Sequence, residues 1–564
     1  MNLNKFSTKL FFATISGLLL TLSFPPNPMP FFAFVGLVPL LFLFYKYDIP
    51  KAHRYILVYV TFFIYHTGSL WWISSWTRDT DIFLLISGLA LDILHPLFFF
   101  VPFVIYFWLE NRMGKKKSLI LYPLIFLFFE WSHSLGDIGF PWLTLGNTQI
   151  LNLYWIQFID ITGIWGASLI ILYINIFVVM FLVDYIDSGV KQIHLFIVQS
   201  RKASLYVVLI SLLFVLPYFY GFFSMQKYDY KANSLKNNNV EVAVIQPNIN
   251  PWKKWETSAV DQLEILLKTS DSILATKPNI KLLVFPETAI PMLYTDFNSL
   301  QDISILQNWC NLRNVSILTG ITEFYFIPKN EEPPSTSKQL AADPKQYYQT
   351  FNSSILVSPN PQYRTGDKID SYRKSKLTPF GEQIPFQETF PVLSKFALWS
   401  VGISSWNIGS GADILQTNIN GKDVRIGNII CIESIYPNFV KEFVKAKANL
   451  FTVITNDGWY DYTVGPRQHY LLACVRAIEN RRYVARSANT GISGFISPFG
   501  VSLKEVPQNT RIATNLVIPL VDEVTIYSKY GDWLPNIVST IVLVFLFVEF
   551  IKVLKNFLRN PDKS

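Results

Sequence analysis

Long apolar blocks at both ends of the chain constrain its fold more than any other feature of the sequence. They run from Leu10 to Phe223 and from Trp533 to Phe550, whereas residues 240–520 have the composition of a globular domain. Of the 564 residues, 51% are apolar and only 16% are charged, which is more apolar than a water-soluble chain normally is. The sequence therefore predicts membrane segments on both sides of one soluble domain.

Eight stretches are apolar and long enough to be candidates for crossing a bilayer core, which takes about 20 residues per helix. The first follows Lys5 and Lys9 and also fits a signal peptide, but no small-residue cleavage site follows it, so we interpret it as a retained span. The fourth contains Asp92, His95 and Pro96, which predicts a kink. The predicted spans are 8–25, 30–46, 55–76, 82–109, 118–135, 163–183, 204–223 and 533–552.

Lysine and arginine are distributed asymmetrically over the predicted loops. If the N-terminus is cytoplasmic, the internal loops 47–54, 112–117 and 185–202 each hold at least two basic residues, and the short external loops hold only Arg78. Basic residues concentrate in cytoplasmic loops of membrane proteins. The pattern therefore predicts both termini inside and the soluble domain outside the cytoplasm. The net charge of +8 then mostly reflects the basic residues that set the orientation in the membrane, and it does not indicate a nucleic-acid surface.

The soluble domain carries short apolar runs that alternate with helical patterns, which predicts an α/β fold. The expected strands are 241–246, 281–285, 315–319, 354–358, 425–430 and 450–455, and the expected helices include 259–274 and 468–482. The polar, proline-rich stretch 328–348 is expected to be a surface loop. The whole chain would then comprise transmembrane helices 1–7 in 1–223, a linker in 224–239, the extracytoplasmic domain in 240–520, transmembrane helix 8 in 530–553 and a cytoplasmic tail in 554–564.

Three polar residues occupy positions at which a catalytic site could form in such a domain. Glu287 and Cys431 come just after expected strands, and Lys374 lies in the segment between them. Ligand sites in open α/β sheets form outside the carboxyl ends of strands. A cysteine there can be a nucleophile, a glutamate its base, and a lysine can stabilise developing negative charge. Taken alone, each also fits a structural role, because a single cysteine after an apolar strand is more often a buried packing residue.

The cysteines and histidines argue against metal or redox chemistry. Cys310, Cys431 and Cys474 are too few for a disulfide framework and lack metal-binding spacing, and the six histidines include no His-x-x-x-His pair. We therefore expect no zinc site and no redox role. Asp92 and His95 within one span leave open a proton relay in a transporter, although such a pair can be structural and the spans show no convincing repeat.

Three segments are similar to the Glu, Lys and Cys boxes of the nitrilase superfamily, and they come in the same order. They are Phe285-Pro-Glu-Thr-Ala-Ile-Pro291, Tyr372-Arg-Lys-Ser-Lys-Leu-Thr-Pro-Phe-Gly-Glu382 and Cys431-Ile-Glu-Ser434. With the spans around them, the chain resembles the apolipoprotein N-acyltransferases over nearly its whole length. Further matching segments are Val244-Ile-Gln-Pro-Asn248, Asn456-Asp-Gly-Trp459, Gly465-Pro-Arg-Gln-His469, Arg476-Ala-Ile-Glu479, Asn489-Thr-Gly491, Gly139-Phe-Pro-Trp-Leu143 and Gly163-Ile-Trp-Gly166.

The resemblance implies a fold and a role for each matching position. The fold would be a membrane α-helical bundle of about eight spans plus an α/β nitrilase-like αββα sandwich domain that carries the catalysis. Cys431 would be the nucleophile, Glu287 the base and Lys374 the oxyanion stabiliser, with Lys376 as a rival lysine. The supporting residues would be Glu382, Glu433 and, on a mobile substrate loop, Trp255. The chain departs from the family at Ile432, Pro247 and His133, none of which is a triad position.

The reaction implied by the resemblance is acyl transfer at a bacterial inner (cytoplasmic) membrane, with the catalytic domain on the periplasmic side. A phospholipid, phosphatidylethanolamine by this resemblance, would donate a fatty acyl chain to Cys431, and the diacylglyceryl-cysteine of an apolipoprotein would accept it. The bilayer would be a partner and nucleic acid would not, and the reaction would need no metal and no organic cofactor. Two alternatives remain open: a membrane-tethered carbon–nitrogen hydrolase acting on small amides, and a non-catalytic lipid- or lipoprotein-binding protein.

Overall fold

The computed structural model describes residues 5–74, 82–234, 238–252, 254, 258–294, 301–334, 336–364, 367, 369–386, 406–460 and 462–559. The chain forms two compact units. The helical unit comprises Met1–Trp71, Ala90–Phe222 and Tyr530–Ser564, and the α/β unit comprises Trp72–Leu89 and Phe223–Lys529.

The elements are numbered here in chain order. The helices are α1 (Phe6–Ser23), α2 (Val38–Lys46), α3 (Lys51–Leu70), α4 (Ile82–Leu94), α5 (Phe100–Met113), α6 (Lys115–His133), α7 (Leu153–Ile156), α8 (Ile159–Thr162), α9 (Ile164–Ser188), α10 (Ile193–Gln199), α11 (Arg201–Ser234), α12 (Ala259–Thr276), α13 (Gln301–Arg313), α14 (Pro437–Lys445), α15 (Gly465–Asn480), α16 (Ile526–Tyr530) and α17 (Trp533–Arg559). The strands are β1 (Asn239–Gln246), β2 (Leu282–Val284), β3 (Ile290–Tyr294), β4 (Ser316–Phe326), β5 (Lys338–Leu340), β6 (Asp343–Val357), β7 (Asp370–Arg373), β8 (Leu415–Ile419), β9 (Lys422–Ile430), β10 (Leu450–Thr455), β11 (Val484–Ala488), β12 (Gly494–Ile496), β13 (Ser502–Glu505) and β14 (Ile512–Pro519).

Long apolar helices confirm the multi-pass arrangement. Within the described residues, six helical segments are long and apolar enough to cross a membrane: Phe6–Ser23, Lys51–Ser74, Leu84–Met113, Ile164–Ser188, Arg201–Lys227 and Trp533–Lys555. Each overlaps a predicted span, and the fourth predicted span is broken by a 3-10 turn at His95–Phe99, as its proline predicts. The predicted span 30–46 is a 3-10 turn followed by the short α2, and α6 begins with three lysines. The count of eight therefore stays a prediction.

Polar side chains join helices within the helical unit. The Asn175 side chain on α9 donates to the carbonyl oxygen of Ala33 at 2.9 Å and accepts from the backbone N–H of Leu37 at 2.9 Å. The Asp532 carboxylate accepts from the indole N–H groups of Trp131 at 3.0 Å and Trp165 at 3.1 Å. Because an unsatisfied polar group in an apolar environment costs several kcal/mol, these bonds fix which faces of the helices meet.

Three histidines from different segments meet in the helical unit. The Nε2 of His66 lies 2.5 Å from the Nδ1 of His95, and the rings of His95 and His133 are 4.9 Å apart. Among the described residues, Asp92 makes no hydrogen bond to His95, and its buried Oδ1 has no hydrogen-bond partner. His95 therefore packs with other histidines rather than with the nearby aspartate that the sequence suggested as its partner.

Two sheets form the centre of the α/β unit. The first has the strand order β14-β1-β2-β4-β6-β5, with β3 beside β4 and β7 beside β6, and the second has the order β13-β12-β11-β10-β9-β8. The central strands of each sheet are parallel. The sheets face each other, since Ser487 donates to the carbonyl oxygen of Ile245 at 2.9 Å and Asn428 donates to the Ser354 hydroxyl at 2.7 Å.

Helices cover the outer faces of both sheets. Leu263 and Leu266 of α12 and Leu306 of α13 join the buried core of the first sheet. On the second sheet, α14 packs so closely on β9 that a Cβ at Gly427 would lie 2.8 Å from the Cβ of Phe443. The layers are therefore helix, sheet, sheet, helix, and the predicted αββα sandwich is confirmed. All six predicted strands and both predicted helices are present, with shifted bounds.

One segment differs from its prediction, and another has a structure that was not predicted. The predicted loop 328–348 contains β5 and the start of β6, because these two partly exposed strands pair with each other and need no apolar alternation. The predicted linker 224–239 is helical as far as Ser234, because no glycine or proline between 222 and 234 ends α11. Trp255 lies outside the described residues.

Candidate active site

Cys431 lies at a strained turn where β9 ends. Its backbone φ is +51°, in the left-handed region that non-glycine residues rarely adopt, and the 3-10 turn Cys431–Ile435 follows directly. Its side chain is partly accessible, whereas Cys310 and Cys474 are buried with exposures of 0% and 1%. Cys431 is therefore the one of the three cysteines whose position suits a nucleophile.

Glu433 ties the cysteine turn to the lysine segment. Its carboxylate accepts from the backbone N–H of Ile430 at 2.8 Å, from the Tyr372 hydroxyl at 2.7 Å and from the backbone N–H groups of Ser375 at 2.7 Å and Lys376 at 3.2 Å. Burial raises the pKa of Glu433 to about 7, and these donors limit the rise. One carboxylate thus fixes the two chain segments on which the predicted nucleophile and lysine lie.

A second network lies behind the cysteine turn. The Nε2 of His469 is 3.0 Å from the carbonyl oxygen of Cys431 and 2.9 Å from the Ser434 hydroxyl, and its Nδ1 is 2.8 Å from the Asp457 carboxylate. Arg486 donates to the same carboxylate at 2.7 Å. Burial would raise the pKa of Asp457, but the charges of Arg486 and His469 outweigh it and lower the pKa. The network holds the strained backbone through the carbonyl oxygen of Cys431 and the hydroxyl of Ser434.

Lys374 lies at the centre of the site, one residue after β7. Its Nζ donates to Glu287 at 3.1 Å and to Glu382 at 2.8 Å, and the residue is 1% exposed. Burial alone would lower its pKa, but the charges of the two carboxylates and of Cys431 outweigh burial and raise the pKa well above its ordinary value. Lys374 is therefore held as a cation. The Nζ of Lys376 lies instead over the Tyr436 ring, 5.8 Å from its centroid.

Glu287 stands on a tight turn after β2. Its carboxylate accepts from the Asn352 side chain at 2.7 Å and from the backbone N–H of Asn456 at 2.9 Å. The next residue, Thr288, has φ +46°, and a Cβ at Gly320 would lie 2.5 Å from its backbone nitrogen. Only a glycine at position 320 therefore lets β4 approach this turn closely enough to fix the direction of Glu287.

Glu382 shares two donors with Glu287, the Lys374 ammonium group and the Asn352 side chain. Its carboxylate accepts from the backbone N–H of Thr378 at 2.8 Å, from the Thr378 hydroxyl at 2.9 Å and from Asn352 at 3.0 Å. Burial would raise its pKa, but the Lys374 charge and these donors lower it. Glu382 is thus an ionised partner that orients the lysine.

The thiol of Cys431 is protonated at neutral pH. Burial raises its pKa, the negative charge of Glu287 raises it further, and the positive charge of Lys374 opposes both. A thiol in this state needs a base to remove its proton during attack. Among the charged neighbours, Glu287 affects the thiol pKa most, so it is the carboxylate best placed to serve as that base.

Two residues of the site were missed by the sequence analysis. Asn352 bridges the Glu287 and Glu382 carboxylates from the middle of β6, where nothing in the sequence marks one asparagine among several polar residues. Lys254 is buried, and its Nζ donates to the Thr288 hydroxyl at 2.8 Å and approaches the Glu287 carbonyl oxygen at 3.5 Å. Burial lowers the pKa of Lys254 to about 8, and the Glu287 charge limits the fall.

The site as a whole combines a thiol, an ionised carboxylate and a buried ammonium group held by hydrogen bonds. This arrangement can perform nucleophilic attack on a carbonyl and stabilise the oxyanion that results. Within the described ranges, no group of three or more His, Cys, Asp or Glu residues has the arrangement of a metal site.

Comparison with known proteins covers both units. Residues 16–177 match the family model described as apolipoprotein N-acyltransferase N-terminal domain, and residues 241–526 match carbon-nitrogen hydrolase. An apolipoprotein N-acyltransferase of Chlorobaculum tepidum is 30% identical over 538 residues, covering 94% of each chain. One of Geobacter metallireducens is 29% identical over 532 residues, covering 92% of this chain and 91% of the relative.

Solved structures align with half of the chain. Nit3 of Saccharomyces cerevisiae, a member of branch 10 of the nitrilase superfamily, covers 50% of this chain and 90% of its own, with a TM-score of 0.35 and 16% identity. An amidase from Nesterenkonia sp. covers 52% of this chain and 93% of its own, with a TM-score of 0.33 and 16% identity.

Proposed function

This chain belongs to the apolipoprotein N-acyltransferase family, and on that premise we propose that it moves a fatty acyl chain from a phospholipid to an apolipoprotein. Cys431 carries the acyl group as a thioester, and the acceptor is the α-amino group of the N-terminal diacylglyceryl-cysteine. Phosphatidylethanolamine is the expected donor. The observation that carries the proposal is the buried Lys374, which donates to both Glu287 and Glu382 beside the Cys431 turn.

In the first step, the Cys431 sulfur attacks the ester carbonyl carbon of the phospholipid while Glu287 accepts the thiol proton. The carbonyl oxygen becomes an oxyanion, and the Lys374 charge stabilises it. The ester C–O bond then breaks, and Glu287 returns the proton to the departing oxygen of the lysophospholipid. The raised pKa of the thiol supports this order, because attack must be coupled to proton removal.

In the second step, the amine of the acceptor attacks the thioester carbonyl carbon. A C–N bond forms, the C–S bond breaks, and Glu287 transfers the proton from the amine to the departing sulfur. Glu382 holds Lys374 for the second oxyanion, and its contact with Asn352 keeps it beside Glu287. No cofactor enters either step.

The proposed location is the cytoplasmic membrane of a bacterium, with the α/β unit on the periplasmic side. The apolar helices and the basic loops support this orientation. Both substrates of the reaction keep acyl chains in a bilayer, which is the physical reason for joining this chemistry to membrane helices. Catalytic residues on the periplasmic side would meet lipoproteins after their export.

The test is mass spectrometry of the purified protein with phosphatidylethanolamine, with and without a synthetic diacylglyceryl lipopeptide. We expect an acyl adduct on Cys431 that disappears when the lipopeptide is added. Cys431→Ser should form no thioester. Lys374→Ala should acylate about 100- to 1,000-fold more slowly, since one oxyanion donor typically contributes that much. Glu287→Gln should also block the adduct, and Glu382→Gln should slow its transfer to the amine.

The chain offers matched controls for these variants. Lys376→Ala removes a lysine two positions from Lys374 and should acylate at nearly the wild-type rate. Cys310→Ala and Cys474→Ala should retain the adduct, because burial raises the pKa of each of those thiols to about 12 and no base contacts them in the described structure. An acyl adduct that forms in Cys431→Ala would refute the nucleophile, because alanine cannot be acylated, and release of the acyl group to water alone would favour a hydrolase.

A further inference from the structure

A cavity with basic walls lies in the helical unit, and no residue of the candidate site lines it. Its volume is about 720 Å³. It is referred to below as the basic cavity, and its lining consists of Trp108, Asn111, Arg112, Met113, Lys117, Glu549 and Lys552. Nothing in the proposed reaction uses these side chains.

The basic cavity lies where membrane helices end. Its walls come from the last turns of α5, the first turn of α6 and the C-terminal part of α17, and both α5 and α17 pack against α6. The apolar segments Leu84–Met113 and Trp533–Lys555 both stop at this level. The cavity is therefore at a boundary between the apolar and aqueous zones, where lipid headgroups lie.

The charges of the basic cavity do not cancel. Lys552 is paired with Glu549 at 2.6 Å. Arg112 and Lys117 have no carboxylate within ion-pair distance among the described residues, which leaves a net charge of +2 on the lining. Arg112 also lies over the Trp108 ring, 5.0 Å from its centroid, so that a guanidinium and an indole share one wall.

An apolar track leads from the basic cavity along α17. Val548 precedes Lys552 by one helical turn, Val544 by two, and their side chains are 44% and 58% exposed. Phe547 beside them is 64% exposed. A small anion would need only the cations, whereas a molecule with a phosphate and acyl chains would use both the cations and this track.

We propose that the basic cavity binds the headgroup of an anionic glycerophospholipid. Arg112 and Lys117 contact the phosphate, Trp108 packs at the level of the glycerol backbone, and the acyl chains lie along Val544 and Val548. Basic pockets between membrane helices bind such headgroups in other proteins. The carboxylate of Glu549 is already neutralised by Lys552, so the remaining charge favours a lipid with a net negative headgroup over a zwitterionic one.

The test is binding of dioleoyl phosphatidylglycerol to the full chain in detergent, followed by native mass spectrometry. We expect the double variant Arg112→Gln with Lys117→Gln to bind this lipid about 30-fold more weakly than wild type, since each basic residue near a headgroup contributes about a factor of five. The matched control is Lys116→Gln with Lys555→Gln, which removes the same amount of charge from the ends of α6 and α17 that form the cavity, but from positions outside the lining. It should weaken binding by less than about threefold.

Further binding measurements distinguish recognition of the whole anionic lipid from recognition of a zwitterionic lipid or of phosphate alone. Phosphatidylcholine should bind at least about tenfold more weakly than phosphatidylglycerol, and inorganic phosphate should not compete. Equal losses in the two double variants would overturn the proposal in favour of diffuse surface charge, and competition by phosphate would overturn it in favour of an anion site. Trp108→Leu leaves every charge in place and should also weaken lipid binding, which keeps the test valid if the charge variant misfolds.

Discussion

At the scale of single residues, buried carboxylates hold the segments of the site together through hydrogen bonds. Glu287, Glu382 and Glu433 each accept several hydrogen bonds, and most of the donors come from other segments of the chain. A carboxylate that is buried and ionised is stable only when such donors replace its water. The same bonds place the lysine and the cysteine turn, so the electrostatics and the geometry of the site have a common origin.

Glu433→Gln tests this directly. The amide would present N–H groups to backbone donors that now face a carboxylate, and each donor left without a partner costs about 1–3 kcal/mol. We expect a loss of about 2–4 kcal/mol in stability, measured as a lower thermal unfolding midpoint of the α/β unit by tryptophan fluorescence. Glu442→Gln is the control, because that carboxylate is 40% exposed and bonded only to lysines of its own helix. Equal midpoints for the two variants would contradict the role of Glu433.

Lys254 gives a prediction about pH. Its pKa falls from an ordinary 10.5 to about 8 in the folded protein. Between these values the unfolded chain binds more protons, so the stability that this residue contributes is full above pH 10.5 and is lost as the pH falls towards 8. We expect the thermal unfolding midpoint of wild type minus that of Lys254→Met to rise by about 4 °C from pH 7.5 to pH 9.5, which is equivalent to about 2 kcal/mol. A constant difference would show that Lys254 does not titrate there.

At the scale of elements, the ends of strands and helices hold the functional groups. β2 and β9 each end in a turn with a positive φ, at Thr288 and Cys431. β7 ends directly before Lys374. In the helical unit the start of α17 has a comparable task, because Asp532 joins it to two tryptophans of other helices. The strands thus serve as rigid supports, and the predicted catalytic residues lie one to three positions beyond the strand ends.

Asp532→Ala should loosen α17. The indole N–H groups of Trp131 and Trp165 would both lose their acceptor, at about 1–3 kcal/mol each. We expect a thermal unfolding midpoint several degrees lower and faster proteolysis after α16. Asp187→Ala is the control, because Asp187 is 56% exposed and its pairing with Lys46 is a surface contact worth little. If both variants unfold like wild type, Asp532 does not anchor the helix.

The whole molecule combines a set of apolar helices with one large α/β unit, most of which lies in sequence between the seventh and eighth predicted spans. The predicted internal loops between the spans carry more basic residues than the predicted external loops. The two units also differ in the side chains that they expose. The helical unit exposes many large apolar side chains, such as Phe219 and Phe547, which is expected of a surface in contact with lipid. The orientation of the chain in the membrane follows from the charges and can be tested independently of catalysis.

Single cysteines placed in a background without the native three should report this orientation. Asn330→Cys lies in the α/β unit and should react with a membrane-impermeant maleimide in cells whose outer membrane has been permeabilised. Ser188→Cys lies in a predicted internal loop and should react only after the cytoplasmic membrane is broken. Both side chains are exposed, so access to the reagent decides the result. Labelling in the reverse pattern would refute the orientation and the acceptor proposed above.

The sequence by itself determined the features that depend on neighbouring residues. Apolar runs predicted the membrane helices and the buried strands, because burial of a helix or strand needs a continuous local pattern. The order of the Glu, Lys and Cys boxes indicated which residues would meet. Lys374 and not Lys376 contacts the carboxylates, as its position in the box suggested. The strand β5 and the exposed start of β6 lacked such patterns and were predicted incorrectly as a loop, and the helical end of α11 was not predicted.

The tertiary structure alone decided which polar groups became partners. Asn352 bonds to Glu287 across 65 positions, and Glu433 bonds to Tyr372 across 61. Lys254 reaches the turn after Glu287, and His469 supports the carbonyl of Cys431. A buried polar side chain must find a partner wherever the fold brings one within about 3 Å. That distance is set by the packing of sheets and helices far apart in sequence, so no local pattern of residues encodes it.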